Sequence, residues 1–223
     1  MHSLWQKYGG HTLGRTRYLV FFFAAACQSA TILYTWPLWQ VRETPPQLPM
    51  VELPQIPFGV AMLSSLVLAL LVPRLGTVLH LALLLLSFVF DEFREQPQLI
   101  LVGVYLFAVA FDSGAFWGRW IMISTWLWAG LHKLLSPEWR GPRSWQFAEI
   151  VNLDPERYAL AFAIVVAVVE ILQGIVAIVR PRVAAVTCIP LHLGIVLFLT
   201  PWFYNWNFSV IPWNLATAAV GCW

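Results

Sequence analysis

Two ionisable side chains stand where an apolar sequence has least room for them. Glu170 precedes Pro181 by eleven residues and His192 follows it by eleven, each inside a hydrophobic run. The Arg180-Pro181-Arg182 turn folds the runs into an antiparallel hairpin. Both groups are then at one depth, about 16 Å from the turn. A carboxylate and an imidazole there are expected to face each other and share one proton, which lowers the desolvation cost of each. Gln173, one turn on, extends the polar patch. The alternative is a polar clasp between helices that does no chemistry.

Lys133 closes the string Trp126-Leu127-Trp128-Ala129-Gly130-Leu131-His132-Lys133, about 21 Å along its run from Arg119. One reading is a lysine snorkelling to the headgroups; the other is a partly desolvated amine acting as a base. His132 points about 100° away and reads as an interface residue, and His80 is given no role. In Asp91-Glu92-Phe93-Arg94-Glu95-Gln96-Pro97, Asp91 and Arg94 are spaced for a local ion pair, and Pro97 stops the helix. Asn205, Asn207 and Asn214 alternate with Trp202, Trp206 and Trp213, a mixture suited to a polar mouth or to an interfacial anchor. Cys27, Cys188 and Cys222 form no CxxC pair and read as packing residues, so neither a metal nor a disulfide framework is expected. Pyridine-nucleotide, P-loop and metalloprotease motifs are absent, and a dispersed net charge of +2 excludes nucleic acid as a partner.

The elements that must hold these residues are membrane helices. Of 223 residues 60% are hydrophobic and 11% charged, with mean hydropathy +0.72; soluble domains carry about 25% charged residues. The expected fold is all-α, a polytopic bundle of about eight spans in a lipid bilayer. They are read at 18–36, 58–72, 75–90, 99–111, 119–135, 158–179 and 183–200, with the last beginning near Phe208. The first run is too long for a signal-peptide core and is read as a retained span. Spans 2 and 4 are short. Span 8 is short too, so either it is truncated or the chain is a piece of a longer protein.

Loop charge orients the bundle. Lys7, Arg15, Arg17, Arg74, Arg119, Arg180 and Arg182 fall on one side with Asp112 alone. The other side holds six basic residues and nine acidic ones, among them Glu52. The basic N-terminus and short basic hairpins put residues 1–17 in the cytoplasm and loops 37–57 and 136–157 outside. Five prolines between Pro45 and Pro57 make the first loop extended. Trp139 and Trp145 suit the second to a surface element at the headgroups.

Several strings then resemble one family. Ala129-Gly130-Leu131-His132-Lys133-Leu134, followed by Glu138-Trp139, resembles the segment carrying the catalytic lysine of vitamin K-dependent γ-glutamyl carboxylase, whose bacterial relatives share the horizontally transferred transmembrane (HTTM) domain. Leu191-His192, Asp91…Arg94…Gln96-Pro97 and Asn207…Ile211-Pro212-Trp213-Asn214 resemble motifs of bacterial HTTM-like and DoxX-like membrane proteins. The resemblance runs over spans 3 to 8 and makes residues 18–223 an HTTM-like domain of a bacterial inner membrane. It implies that Lys133 is the base that deprotonates a lipid-soluble quinol on the outer side. The large extramembrane domain of the carboxylase has no counterpart here, and no second catalytic residue is matched.

The expected function is therefore binding or oxidising a quinol, with a quinone or quinol as cofactor. Lys133, Glu170 and His192 are the candidate catalytic residues, and Asp91, Arg94, Asn207, Trp213 and Asn214 the candidate substrate-binding ones. Two rivals stand beside it. One is a non-enzymatic anchor or assembly subunit, with a protein partner or a missing C-terminal domain. The other is a small transporter or proton pathway, which the Glu170–His192 pair also suits, although no repeat relates the two halves.

Overall fold

The computed structural model describes residues 13–51, 53–203 and 207–223. Lys7, Glu52, Asn205 and Trp206, used above for orientation and for the polar mouth, lie outside them. Among the described residues the chain is all-helical, with no strand. Its helices are α1 (Arg15–Tyr34), α2 (Gly59–Leu71), α3 (Pro73–Phe90), α4 (Pro97–Ala110), α5 (Gly114–Leu135), α6 (Ser144–Ile150), α7 (Pro155–Val179), α8 (Pro181–Leu199) and α9 (Ile211–Gly221).

Proline sets most of the starts. Pro73, Pro97, Pro155, Pro181 and Pro212 occupy the first turns of α3, α4, α7, α8 and α9, where the missing N–H costs nothing and the fixed φ favours helix. Asp154 caps α7 by accepting from Glu156 N at 3.1 Å.

Four helices are long and apolar enough to cross a membrane: α1, α3, α7 and α8. Helices occupy the other four expected positions but differ from that standard. α2, α4 and α9 have 13, 14 and 11 residues, below the roughly 17 that an upright crossing takes. α5 has 22, but Trp117, Trp120, Trp126, Trp128, Arg119 and Lys133 make it less apolar than the four.

The chain divides into two compact units, one running to Gly118 and including Trp223, the other Arg119–Cys222. In the first, α2 and α3 form a hairpin, and α4 packs on α1 and α3. Gly76 lets the hairpin close, since a Cβ there would come within 2.2 Å of Ala69 Cα. Arg17 and Arg74 both pair with Asp112, at 2.5 and 2.8 Å, so the ends expected on one side of the bilayer meet at one end of this unit. Arg42 and Arg94 meet Asp91 in a second cluster. Between them, all completely buried, lie Gln28, Thr77 and His80. Gln28 Nε2 donates to Leu99 O at 3.0 Å and faces His80 Nε2 at 3.1 Å, while Ser65 Oγ is 2.9 Å from His80 Nδ1. His80, given no role from sequence, is thus an interhelical polar contact.

In the second unit α7 packs against α6 and α8, and α8 against α9. The buried face of α7 is made of Ala159, Ala163, Ala167, Glu170, Gln173, Gly174 and Ala177, while Val165, Leu172 and Val179 are exposed. Small and polar residues inside with large apolar ones outside reverse the soluble pattern and match helix packing in lipid.

Candidate functional site

On α5 the spacing 126, 130, 133 lines one helix face. Gly130 is its close-approach point, because a Cβ there would stand 2.4 Å from Ala167 O of α7. Gly174 does the same from α7, where a Cβ would meet Leu127 Cδ2 at 2.7 Å. With the backbones this near, Lys133, one turn beyond Gly130, reaches Glu170, one turn before Gly174. Lys133 Nζ donates to Glu170 Oε2 at 2.6 Å. The carboxylate side chain is 9% exposed and the lysine 22%. The ammonium also lies over the Trp139 ring, 5.2 Å from its centre, and Trp139 Nε1 donates to Ala163 O at 3.1 Å, which seats the ring on α7.

The expected pairing of Glu170 with His192 is corrected here. Both are buried, on α7 and α8 respectively, but among the described residues no hydrogen bond or ion pair joins them. Equal distance from the hairpin sets their height, not the direction in which each side chain leaves its helix. His192 Nε2 accepts from Trp126 Nε1 at 2.9 Å, and Nδ1 is 2.7 Å from Asn214 Oδ1. An indole N–H only donates, so Nε2 carries the lone pair and the proton is on Nδ1, donated to Asn214. Asn214 Nδ2 in turn donates to Val210 O at 2.9 Å. The imidazole is neutral, with both nitrogens engaged. Gln173 does not extend a Glu170 patch: its Nε2 donates to Ala184 O at 2.9 Å and its Oε1 accepts from Thr187 Oγ1 at 2.7 Å, both on α8.

The five residues expected to bind substrate divide. Asp91 and Arg94 belong to the first unit, are fully buried, and stand 3.6 Å apart. Asp91 also takes a two-pronged pair from Arg42, 49 residues away, at Oδ1 and Oδ2. Burial lowers the Arg94 guanidinium below the usual arginine value; Asp91 opposes that shift and Arg42 adds to it. In the second unit Asn214 holds His192. Asn207 is exposed in a left-handed backbone conformation, φ 55°, with Oδ1 accepting from Ser209 Oγ at 3.0 Å. Trp213 presents a buried Nε1–H that has no acceptor among the described residues.

Two participants escaped the sequence reading. Trp126 was seen only as part of a string; its place four residues before Gly130 and seven before Lys133 was the available signal. Arg42 carried none, since only the fold brings it to Asp91. Among the described residues no three His, Cys, Asp or Glu side chains group as a metal site would need.

Compared with known proteins, the chain matches no family model, no curated relative and no solved structure.

Proposed function

We propose that the chain is an eight-span, HTTM-like integral protein of a bacterial inner membrane, with a cytoplasmic N-terminus, whose Lys133–Glu170 pair takes the hydroxyl proton of a lipid-soluble quinol. The observation that carries this reading is the 2.6 Å contact between Lys133 Nζ and Glu170 Oε2. A lysine that is always charged is no base. Here the pair has no net charge whichever atom holds the shared proton, so moving that proton to Glu170 frees the amine lone pair without creating charge in a medium that disfavours it. Glu170 is then the proton store and Lys133 the group that receives the next proton. Trp139, packed beside the amine, offers an aromatic face of the kind a quinol ring stacks on. Deprotonation is the chemistry that prepares a quinol for oxidation.

Mass spectrometry of lipids extracted from the purified protein tests binding, and quinol-dependent turnover tests the pair. Bound quinone is expected, with turnover lost in Lys133→Ala and sharply reduced in Glu170→Gln. No quinone and no effect of Lys133→Ala on turnover would end this reading.

A second reading is favoured by the engagement of two other buried polar groups of the unit: His192 and Gln173 make helix-to-helix bonds only. On it the unit is a membrane scaffold for a protein partner. A partner that co-purifies after Glu170 and His192 are both replaced supports the scaffold.

A further inference from the structure

At the end of α3 three charged side chains are buried together. Arg42, Asp91 and Arg94 are all buried, the last two completely, so two guanidinium groups share one carboxylate. Arg42 takes most of it, donating from both terminal nitrogens to both Asp91 oxygens, and Leu48 N and Phe93 N also donate to Oδ1. Arg94 is left largely to carbonyls. Its Nε donates to Leu38 O at 2.7 Å and its Nη2 reaches Gln40 O and Ile56 O, each at 3.4 Å, with the group over the Phe58 ring. Its Nη1 is buried and has no acceptor among the described residues.

A second unmatched donor lies on the segment between α1 and α2, whose carbonyls at Leu38, Gln40 and Ile56 receive Arg94. Gln40 Nε2 is buried without an acceptor and lies against the residue after Phe58, since a Cβ at Gly59 would come within 2.7 Å of it. The loop's unmatched acceptor, Gln47 Oε1, is on an amide whose nitrogen donates to Gln40 O at 3.2 Å. A water could satisfy hydrogen bonds here but would leave the excess positive charge in place.

We propose that this cluster binds one halide-sized anion, held by Arg94 Nη1 and Gln40 Nε2 and balancing Arg42 and Arg94 against Asp91. The size follows from enclosure: Arg94 has no exposed surface, so a carboxylate or phosphate on a larger molecule has no opening at the guanidinium. The site is independent of the Lys133–Glu170 reading and lies in the other compact unit.

Thermal unfolding of the purified full chain, with chloride replaced by gluconate at constant ionic strength, measures the linkage. A saturable rise of several degrees with chloride is expected, and also with bromide. Gln40→Leu keeps both guanidinium groups and removes one donor, and should weaken the apparent halide affinity roughly tenfold or more. Anomalous scattering from bromide-grown crystals should place an ion within hydrogen-bond reach of Arg94 Nη1, a result that does not depend on any variant folding. An unfolding midpoint indifferent to halide, a dependence unchanged in Gln40→Leu, or bromide found only elsewhere would each overturn the proposal.

Discussion

At the scale of single residues, what distinguishes Lys133 and Glu170 is that each is the other's main compensation. Removing one member of a buried ion pair strands the second charge, whereas removing both with apolar groups of similar size can be neutral. Lys133→Met and Glu170→Leu should therefore each lower stability by about 3 kcal/mol. The double variant should recover most of the loss, as read in a double-mutant cycle from unfolding in detergent. Additive losses would mean that the two side chains do not depend on each other. His192 is a different case. Its two ring nitrogens are committed to Trp126 and Asn214, so it has no lone pair left to act as a base in this arrangement.

At the scale of elements, the pair depends on how closely two helices approach. Gly130 and Gly174 are the positions where α5 and α7 leave no room for a side chain, and Lys133 is one turn beyond Gly130. Gly130→Val should push the helices apart, lower stability by about 1–3 kcal/mol, and separate the amine from the carboxylate while leaving both residues present. On the proposed function, turnover in this variant falls nearly as far as in Lys133→Ala. Unimpaired turnover with a clear loss of stability would show that the contact is dispensable to the chemistry. The sequence carried part of this signal in Gly130 and Lys133 at helical spacing. It did not carry the partner, because the helix that supplies Glu170 comes 37 residues later and nothing local selects it over α8.

At the scale of the whole molecule, the distribution of charge follows the alternation expected of antiparallel spans. Arg17, Arg74 and Asp112 come together, as do Arg42, Asp91 and Arg94, and the two sets are those the loop charges assigned to opposite sides. In the second unit Arg119 Nη2 donates to Ala177 O and Ile178 O at 3.0 and 3.3 Å, joining two ends that the loop charges assign to one side. Single cysteines introduced at Arg74 and Glu95 in a background without Cys27, Cys188 and Cys222 test the proposed orientation in intact cells. A membrane-impermeant thiol reagent should label position 95 and leave position 74 unlabelled; the reverse pattern inverts the topology.

The amino-acid sequence alone determined the helical character and the apolar runs, because these follow from composition and from backbone chemistry within a few residues; it misread Pro97, taken to stop a helix, which in the structure opens α4, while the preceding helix already ends at Phe90. It also picked out Lys133, Glu170 and His192, since an ionisable group in an apolar run is conspicuous wherever the run goes. It assigned the wrong partner to Glu170, left Arg42 out of the Asp91 cluster and saw no role for His80. Pairing depends on the direction each side chain takes from its helix and on which helices pack together. Both are settled by close-approach glycines and interlocking side chains from distant parts of the chain. The tertiary structure alone decided that the carboxylate meets an amine, that the imidazole is locked between an indole and an amide, and that one buried guanidinium has an N–H without an acceptor among the described residues.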